Sequence, residues 1–278
     1  MTDVAGKRVL VTGGGSGIGL LVASGFAARG ARIVLWDLDE ARLRDAARRI
    51  GAEVEGMVVD VSDRRAVERA AAEVGPVDVL VNNAGIVRGK PILDLVPEDV
   101  EATFATNVLA HFWTLRAFLP GMIARDAGHV VTVASASAIC AVPRLAAYSA
   151  TKAAAFALDE ALRLELERGG SRVRTTVVCP YYVDTGMFGG VKTRFSFLLP
   201  ILRPEWVADR IVQAVLHDRP RVILPSLVAL TWALRLLPVR WFDALAAFLG
   251  VTRSMDEFVG HARPALGQDR AGPAGLLR

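Results

Sequence analysis

The sequence predicts an α/β fold, a single doubly wound parallel sheet of about seven strands with helices on both faces. Short apolar and β-branched runs alternate with alanine-rich stretches of helical spacing, such as residues 39–50 and 63–74. The strand-like runs are apolar on both faces, which is typical of parallel strands covered by helices on each side. Right-handed crossovers then leave a ligand crevice at the carboxyl ends of the strands. The predicted strands cover residues 8–11, 32–36, 53–59, 77–81, 129–134, 172–178 and 221–224.

Composition argues against several classes of function. The net charge of +4 comes from arginines scattered along 278 residues, without the basic block typical of nucleic-acid binding. We therefore predict no nucleic-acid partner. The two cysteines, Cys140 and Cys179, lie far apart in apolar stretches, a spacing that builds neither a metal site nor a disulfide framework. The sequence predicts a metal-free protein of the reducing cytoplasm.

A glycine-rich loop follows the first predicted strand and opens the first predicted helix. Gly13 permits a tight turn, Gly17 lets the backbone approach a pyrophosphate, and Gly19 lets helix pack on strand. The helix N-terminus adds unpaired amides and a partial positive charge. Ser16 and Ile18 lie in the same loop and belong to the predicted phosphate-binding set. The alternative is a glycine-rich turn that binds nothing.

The end of the second predicted strand favours a ligand. Asp37 lies there, where a carboxylate accepts hydrogen bonds from the ribose of an adenosine. The same negative charge repels a 2′-phosphate, and neither Ser16 nor Leu38 supplies a cation that would attract one. The pattern therefore predicts NAD, rather than NADP, as the cofactor.

Three motifs together resemble the short-chain dehydrogenase/reductase family. They are T-G-G-G-S-G-I-G at residues 12–19, N-N-A-G at residues 82–85, and Y-x-x-x-K from Tyr148 to Lys152. The motifs follow the family's order and spacing, and the resemblance covers residues 5–225. It implies a Rossmann-type, NAD(P)-dependent oxidoreductase.

A tyrosine and a lysine are the predicted catalytic pair. Tyr148 and Lys152 are spaced four apart on a predicted helix, so both side chains emerge on one face. An ordinary phenol has a pKa of about 10, and a neighbouring ammonium and an oxidised nicotinamide favour its ionised form. Tyr148 is thus predicted to act as general acid/base. The resemblance implies that Ser135 hydrogen-bonds the substrate oxygen, and that the Asn107 backbone holds a water linking Lys152 to solvent. Ser137 is a competing serine one step outside the family register.

The resemblance also implies further cofactor contacts. A pair after the third strand frames the adenine, a triplet after the fourth strand shapes the cofactor floor, and the segment after the sixth strand binds the nicotinamide carboxamide. These residues are Asp60 and Val61, then Asn83, Ala84 and Gly85, then Pro180, Val183 and Thr185. Tyr181 stands where the family usually has glycine, so Tyr181 or Tyr182 is expected to line the substrate pocket.

The predicted domain organisation has three parts. Residues 1–225 form the Rossmann-type dehydrogenase domain, which includes a substrate loop at 186–204. Residues 226–260 form an apolar helical extension that charged residues and proline interrupt, so it has no bilayer-spanning run. This extension packs on the core or on another subunit, covers an apolar substrate pocket, or lies on a membrane surface. Its apolar stripes are Leu227, Leu230, Leu234 and Leu237, then Trp241, Leu245 and Phe248. Residues 261–278 are predicted to be a disordered tail.

Residues 107–122, 128–138 and 201–230 carry a closer likeness, to the branch that holds the retinol dehydrogenases and the 17-beta-hydroxysteroid dehydrogenases of types 11 and 13. It implies NAD(H)-dependent interconversion of a lipophilic primary or secondary alcohol, of steroid, retinoid or long-chain type, and its carbonyl. The family also implies a homodimer or homotetramer. A 3-oxoacyl-thioester reductase is the alternative enzyme, and a non-catalytic dinucleotide sensor or scaffold is the alternative from another class.

Overall fold

A computed structural model, which describes residues 2–51 and 53–260, contains one sheet of parallel strands in the order β3-β2-β1-β4-β5-β6-β7. The strand order reverses between β1 and β4, which is the switch point where a doubly wound sheet opens a ligand crevice. The predicted fold class is confirmed. The strands are β1 (Arg8–Thr12), β2 (Arg32–Asp37), β3 (Val54–Val58), β4 (Val79–Asn82), β5 (His129–Val133), β6 (Arg174–Pro180) and β7 (Arg221–Leu224).

Helices connect the strands and cover both faces of the sheet. Two of them begin at aspartates whose carboxylates accept backbone N–H groups of the first turn, Asp39 before α2 and Asp63 before α3. The helices are α1 (Gly17–Ala27), α2 (Glu40–Ile50), α3 (Arg64–Val74), α4 (Pro97–Phe104), α5 (Ala110–Ala124), α6 (Ala146–Arg168), α7 (Pro204–Leu216), α8 (Thr231–Leu234) and α9 (Val239–Phe248).

The core has two layers because successive strand residues point to opposite faces. On β1, Val9 and Val11 pack into one cluster with buried residues of α1, α2 and α7. Leu10 of the same strand packs into the other cluster, with buried residues of α3, α5 and α6. Both faces of the sheet are therefore closed by apolar contacts, and ligands have access at the ends of the strands.

The C-terminal extension follows β7 and consists of short helices. A 3-10 turn (Ser226–Leu230) leads into α8, and another (Val251–Arg253) follows α9. Within the described residues, no helix combines the length and apolar character that crossing a bilayer requires. The tail predicted over residues 261–278 lies outside the described part of the chain.

Candidate active site

The glycine loop lies between β1 and α1, and it disfavours side chains through the backbone angle at two glycines and through lack of space at a third. Gly13 and Gly17 have φ angles of +62° and +54°, which other residues rarely adopt. A Cβ atom at Gly19 would lie 2.3 Å from the carbonyl oxygen of Gly13. Ser16 is the N-cap residue of α1, and its side chain makes no capping hydrogen bond. The Ser16 side chain therefore leaves the first amides of α1 uncapped, and Ser16, Gly17 and Ile18 line the crevice, as a phosphate site at a helix N-terminus requires.

The adenosine end of the crevice is acidic, with one arginine beside it. The Oδ2 atom of Asp37 accepts the N–H of Gly15 at 2.9 Å, which fixes this carboxylate against the loop. Arg42 also lines the cavity, and its Nε lies 3.3 Å from Oδ2 of Asp39. The sequence pattern gave no sign of Arg42, because its approach to the loop depends on how α2 packs. Ile18, Asp60 and Val61, which the sequence predicts to contact the cofactor, line the same cavity.

Asn83 ties the end of β4 to the glycine loop. Its Nδ2 donates to the carbonyl oxygens of Thr12, at 2.9 Å, and Gly13, at 3.2 Å. The Thr12 hydroxyl accepts the N–H groups of Asn83 and Ala84 at 3.0 and 3.1 Å. The Asn83 side chain therefore ties the end of β4 to the glycine loop, and the residue also lines the cavity.

Asn107 lies in a π-helical turn (Ala105–Leu109) between α4 and α5. Its Oδ1 accepts the N–H of Ile86 at 2.8 Å, and its Nδ2 donates to Ile86 O at 3.0 Å and to Thr151 Oγ1 at 3.1 Å. The side chain thus joins the end of β4 to α6. A π turn widens the helix and disturbs the regular carbonyl pairing, which is a common feature of functional sites. The apolar pattern of the sequence gave no sign of this turn.

Tyr148 and Lys152 emerge side by side from the first turns of α6. The Nζ atom of Lys152 donates to the carbonyl oxygen of Val133 at 2.8 Å and lies 5.6 Å from the centre of the Tyr148 ring. Burial lowers the pKa of Lys152 to about 8. Burial also raises the pKa of Tyr148, and a hydrogen bond with Ser135 acts in the opposite direction. The protein alone therefore keeps the phenol protonated.

Ser135 lies directly beyond β5 and faces the end of β6. Its Oγ accepts the N–H of Ser137 at 3.1 Å and donates to Pro180 O at 3.5 Å. The contact at 3.5 Å is at the limit of hydrogen bonding, so this hydroxyl can turn toward a bound oxygen atom. Ser137 contributes its backbone amide to the arrangement, and its own hydroxyl is buried.

The segment after β6 crosses in front of the glycine loop. Val183 forms a single bridge with Leu202, and the N–H of Thr185 donates to Val183 O at 2.8 Å. A Cβ atom placed on Gly17 would lie 3.5 Å from Thr185 Cβ. The nicotinamide-side residues predicted from the family thus lie opposite the phosphate loop.

One cavity of about 690 Å³ joins all of these elements. The predicted catalytic residues Ser135, Tyr148 and Lys152 line its middle, whereas Gly19 and Asn107 lie behind its wall and act through packing and hydrogen bonds. Tyr181 and Tyr182 also line it, as expected. Gly13, Ser16, Gly17, Ile18, Asp37, Asp60, Val61, Asn83, Ala84, Gly85, Pro180, Val183 and Thr185 complete the predicted set along its length.

Apolar side chains close the far end of the cavity, and most of them come from the substrate loop and the extension. Of the predicted stripes, Leu227, Leu230, Leu234 and Leu245 line the cavity. Trp241 and Phe248 point away from it and are 71% and 56% exposed. The lining residues from these two segments are Met187, Phe188, Leu198, Leu199, Leu227, Val228, Leu230, Thr231, Leu234, Phe242, Leu245, Ala246, Leu249 and Val251.

Comparisons with known proteins agree with this geometry. The model of the short chain dehydrogenase family matches residues 7–194. The chain belongs to the short-chain dehydrogenase family. Membership in this family makes the chain an oxidoreductase.

Individual members of the short-chain dehydrogenase family are similar over nearly the whole chain. Human epidermal retinol dehydrogenase 2 is 41% identical, covering 92% of this chain and 86% of its own. Rat estradiol 17-beta-dehydrogenase 11 is 40% identical, covering 93% and 88%. The solved structure of a Burkholderia phymatum short chain dehydrogenase/reductase in complex with NAD has a TM-score of 0.76 at 28% identity, covering 84% of this chain and 94% of that one.

Proposed function

We propose that this protein is an NAD(H)-dependent dehydrogenase/reductase that interconverts a lipophilic primary or secondary alcohol and its carbonyl. The observation that carries the proposal is the single cavity in which a dinucleotide-shaped crevice and an apolar pocket meet at Tyr148. A substrate that enters from the apolar pocket would place its hydroxyl carbon at that junction. The carbon would then lie beside both Tyr148 and the position predicted for the nicotinamide.

The crevice fits a nicotinamide dinucleotide, and its acidic end favours NAD. The glycine cradle excludes side chains where a pyrophosphate would pass, and Asp37 lies where the adenosine ribose would be held. Arg42 is the cation nearest this end, and Asp39 neutralises it in part. When bound, NAD supplies the hydride acceptor for alcohol oxidation and the hydride donor for carbonyl reduction.

The protein's own residues handle the proton. Tyr148 Oη takes the hydroxyl proton during oxidation and returns it during reduction. Ser135 donates a hydrogen bond to the same substrate oxygen. Burial raises the Tyr148 pKa; the Lys152 ammonium, held by Val133 O and 5.6 Å from the ring centre, is proposed to favour the phenolate. Asn107 fixes the π turn beside Thr151, whose hydroxyl donates to Tyr148 O at 2.7 Å.

The substrate class follows from the apolar end of the cavity. Among the described lining residues, Arg42 and Lys152 are the cations, and neither belongs to the substrate end. This lining suits a steroid, retinoid or long-chain alcohol, and two of the similar proteins have retinol and estradiol in their names. None of the described residues that line the apolar end is basic, so the 3-oxoacyl-thioester reductase, whose substrate carries a phosphate, is less favoured. The intact acid/base residues disfavour a sensor or scaffold.

Two exposed apolar surfaces suggest how the protein associates. Leu109, Phe112, Ile123 and Leu164 are 42 to 55% exposed on the helical layer of α5 and α6, where we propose a homodimer interface.

Leu236, Val239 and Trp241 of the extension are 71 to 88% exposed, and we propose that they contact a membrane surface from the cytoplasmic side. Flotation with phosphatidylcholine vesicles, compared with a Trp241→Ser variant, tests this contact.

The decisive experiment is cofactor reduction by the purified protein with NAD and NADP over a panel of steroid, retinoid and long aliphatic alcohols. Turnover with NAD that disappears in Tyr148→Phe, while NAD binding persists, is the expected result. NAD binding without turnover on any of these alcohols would refute the dehydrogenase proposal for this substrate class.

A further inference from the structure

An aromatic cluster covers the catalytic tyrosine. The ring of Phe188, from the substrate loop, meets the Tyr148 ring edge-on at a centroid distance of 5.7 Å. Phe188 also contacts Tyr182 at 5.2 Å and Phe258 at 6.5 Å. Tyr148 is only 6% exposed as a result of these and neighbouring contacts. The surroundings of the acid/base group therefore include side chains from the far C-terminal part of the described chain.

Tyr182 is anchored to that part by a buried hydrogen bond. Its Oη lies 2.9 Å from Ser254 Oγ, and Ser254 donates its single hydroxyl hydrogen to Val251 O at 2.8 Å. Tyr182 is therefore the donor of the bond between the two hydroxyls. Ser254 is 2% exposed and Tyr182 6% exposed, so water does not readily replace either partner.

Further contacts join residues 251–258, here named the closing segment, to the substrate loop. The N–H of Lys192 donates to Ser254 O at 3.2 Å, and the ammonium of Lys192 pairs with Glu257 at 2.6 Å. Met255 is 1% exposed and packs in one cluster with Tyr148 and Tyr182. The closing segment thus lies over the loop that carries Phe188.

We propose that Tyr182 is a positioning residue, which holds the closing segment through Ser254 and thereby keeps Phe188 packed against Tyr148. This rests on the proposed function, since it takes Tyr148 as the acid/base group. Phe188 excludes water from the phenol and forms part of the apolar wall that a lipophilic substrate meets. The hydroxyl of Tyr182 is engaged with Ser254 Oγ, so its proposed role is to position the closing segment.

The groups around Tyr148 determine the sign of the expected pH effect. Lys152 faces it from α6, Ser135 from the end of β5, and Tyr182 from the segment after β6. Cys140 acts on Tyr182 in turn. Burial is the largest cause that raises the Tyr148 pKa. If Phe188 packs less tightly on Tyr148, water reaches the phenol and the Tyr148 pKa falls. The acid limb of the pH–rate profile for alcohol oxidation then moves to lower pH.

The test removes one hydroxyl of the buried bond in Tyr182→Phe, the other in Ser254→Ala, and both in the double variant. Three results are expected from each: faster amide hydrogen exchange confined to residues 251–258, an acid limb displaced by about half a pH unit or more to lower pH, and a KM for the lipophilic alcohol raised about threefold or more with a smaller change in kcat. The double variant should match the singles, because all three lack the same bond. Ser171→Ala, which loses a hydroxyl at the opposite end of the strands, is the control.

Each measurement can overturn the proposal separately. Unchanged exchange in residues 251–258 would show that the bond does not hold the closing segment. An unchanged acid limb with lowered thermal stability would show a merely structural role. Absence of turnover in the unmodified protein would refute the proposed function instead, and the exchange data would still decide whether Tyr182 and Ser254 hold the segment.

Discussion

The ammonium nitrogen of Lys152 lies 5.6 Å from the centre of the Tyr148 ring, close enough to favour the phenolate electrostatically. Burial favours the neutral form of both side chains, so it moves their pKa values in opposite directions. It lowers the pKa of Lys152 to about 8 and raises that of Tyr148. The reactive tyrosine therefore depends on a lysine that is itself close to losing its proton.

Replacement of that lysine should expose this dependence. In Lys152→Met, burial acts on Tyr148 without the compensating charge, so kcat at pH 7 should fall about 100-fold or more, with partial recovery at high pH as the phenol ionises. The pH dependence of kcat over pH 6–10 measures this. Lys7→Met, which removes an exposed lysine before β1, should leave the profile unchanged. A profile that merely scales down at every pH would contradict the electrostatic role.

Cofactor choice should depend on Asp37 and then on Arg42. In Asp37→Ser, the repulsion of a 2′-phosphate is lost while the arginine stays, so the ratio of kcat/KM for NAD to that for NADP should fall about tenfold or more. Adding Arg42→Gln should reverse much of the gain with NADP. Equal ratios in all three proteins would place discrimination elsewhere in the crevice.

Even a methyl group at Gly19 of the glycine loop should weaken dinucleotide binding. The Cβ of Gly19→Ala would lie 2.3 Å from Gly13 O and 2.6 Å from Asn83 Nδ2, so the loop must shift and dinucleotide affinity should drop about 100-fold or more. Calorimetric titration with NAD measures this. Gly121→Ala on α5 meets only the flexible end of Arg125 and is the matched control. Normal affinity in Gly19→Ala would mean that the loop relaxes at no cost.

An added charge should separate subunits that pair through the helical layer. Phe112 is 43% exposed on α5, and burying a carboxylate in an apolar interface is costly. Phe112→Asp should therefore shift the mass measured by light scattering toward the monomer. Leu93→Asp, at a position 94% exposed beyond this layer, should leave the assembly intact. Equal masses for the two variants would argue against the interface.

Acid stability should reflect two buried histidines. Burial lowers the pKa of His111 to about 3 and that of His129 to about 4, whereas burial raises the pKa of Asp159 to about 6. From pH 6 down to pH 4, the unfolded chain binds one more proton than the folded chain at each histidine, and one fewer at the aspartate. The net difference of one proton destabilises the fold by about 1.4 kcal/mol per pH unit as pH falls.

Removal of one histidine should cancel most of that slope. Chemical unfolding of His129→Asn across pH 4–6 should show a nearly level free energy of unfolding, whereas an Asn at the exposed His217 should keep the slope. The same slope in all three proteins would show that His129 does not control acid stability.

The strands, the glycine loop and the spacing of Tyr148 and Lys152 could all be predicted from the sequence. These features depend on local periodicity and on backbone needs that a few neighbouring residues reveal. Predicted strand ends differed from the observed ones by a few residues, as at β6, predicted at 172–178 and found at Arg174–Pro180, because strand ends depend on pairing as well as on composition.

The contacts that join these local features into one cavity could not be predicted from the sequence. The π turn at Asn107, the tie from Asn83 to the glycine loop, and the bond between Tyr182 and Ser254 connect residues far apart in the chain. The sequence did not show which face of the extension meets the cavity, because both of its faces carry apolar residues. A one-dimensional pattern gives the residues that can be buried, and packing between distant elements selects which residues they meet.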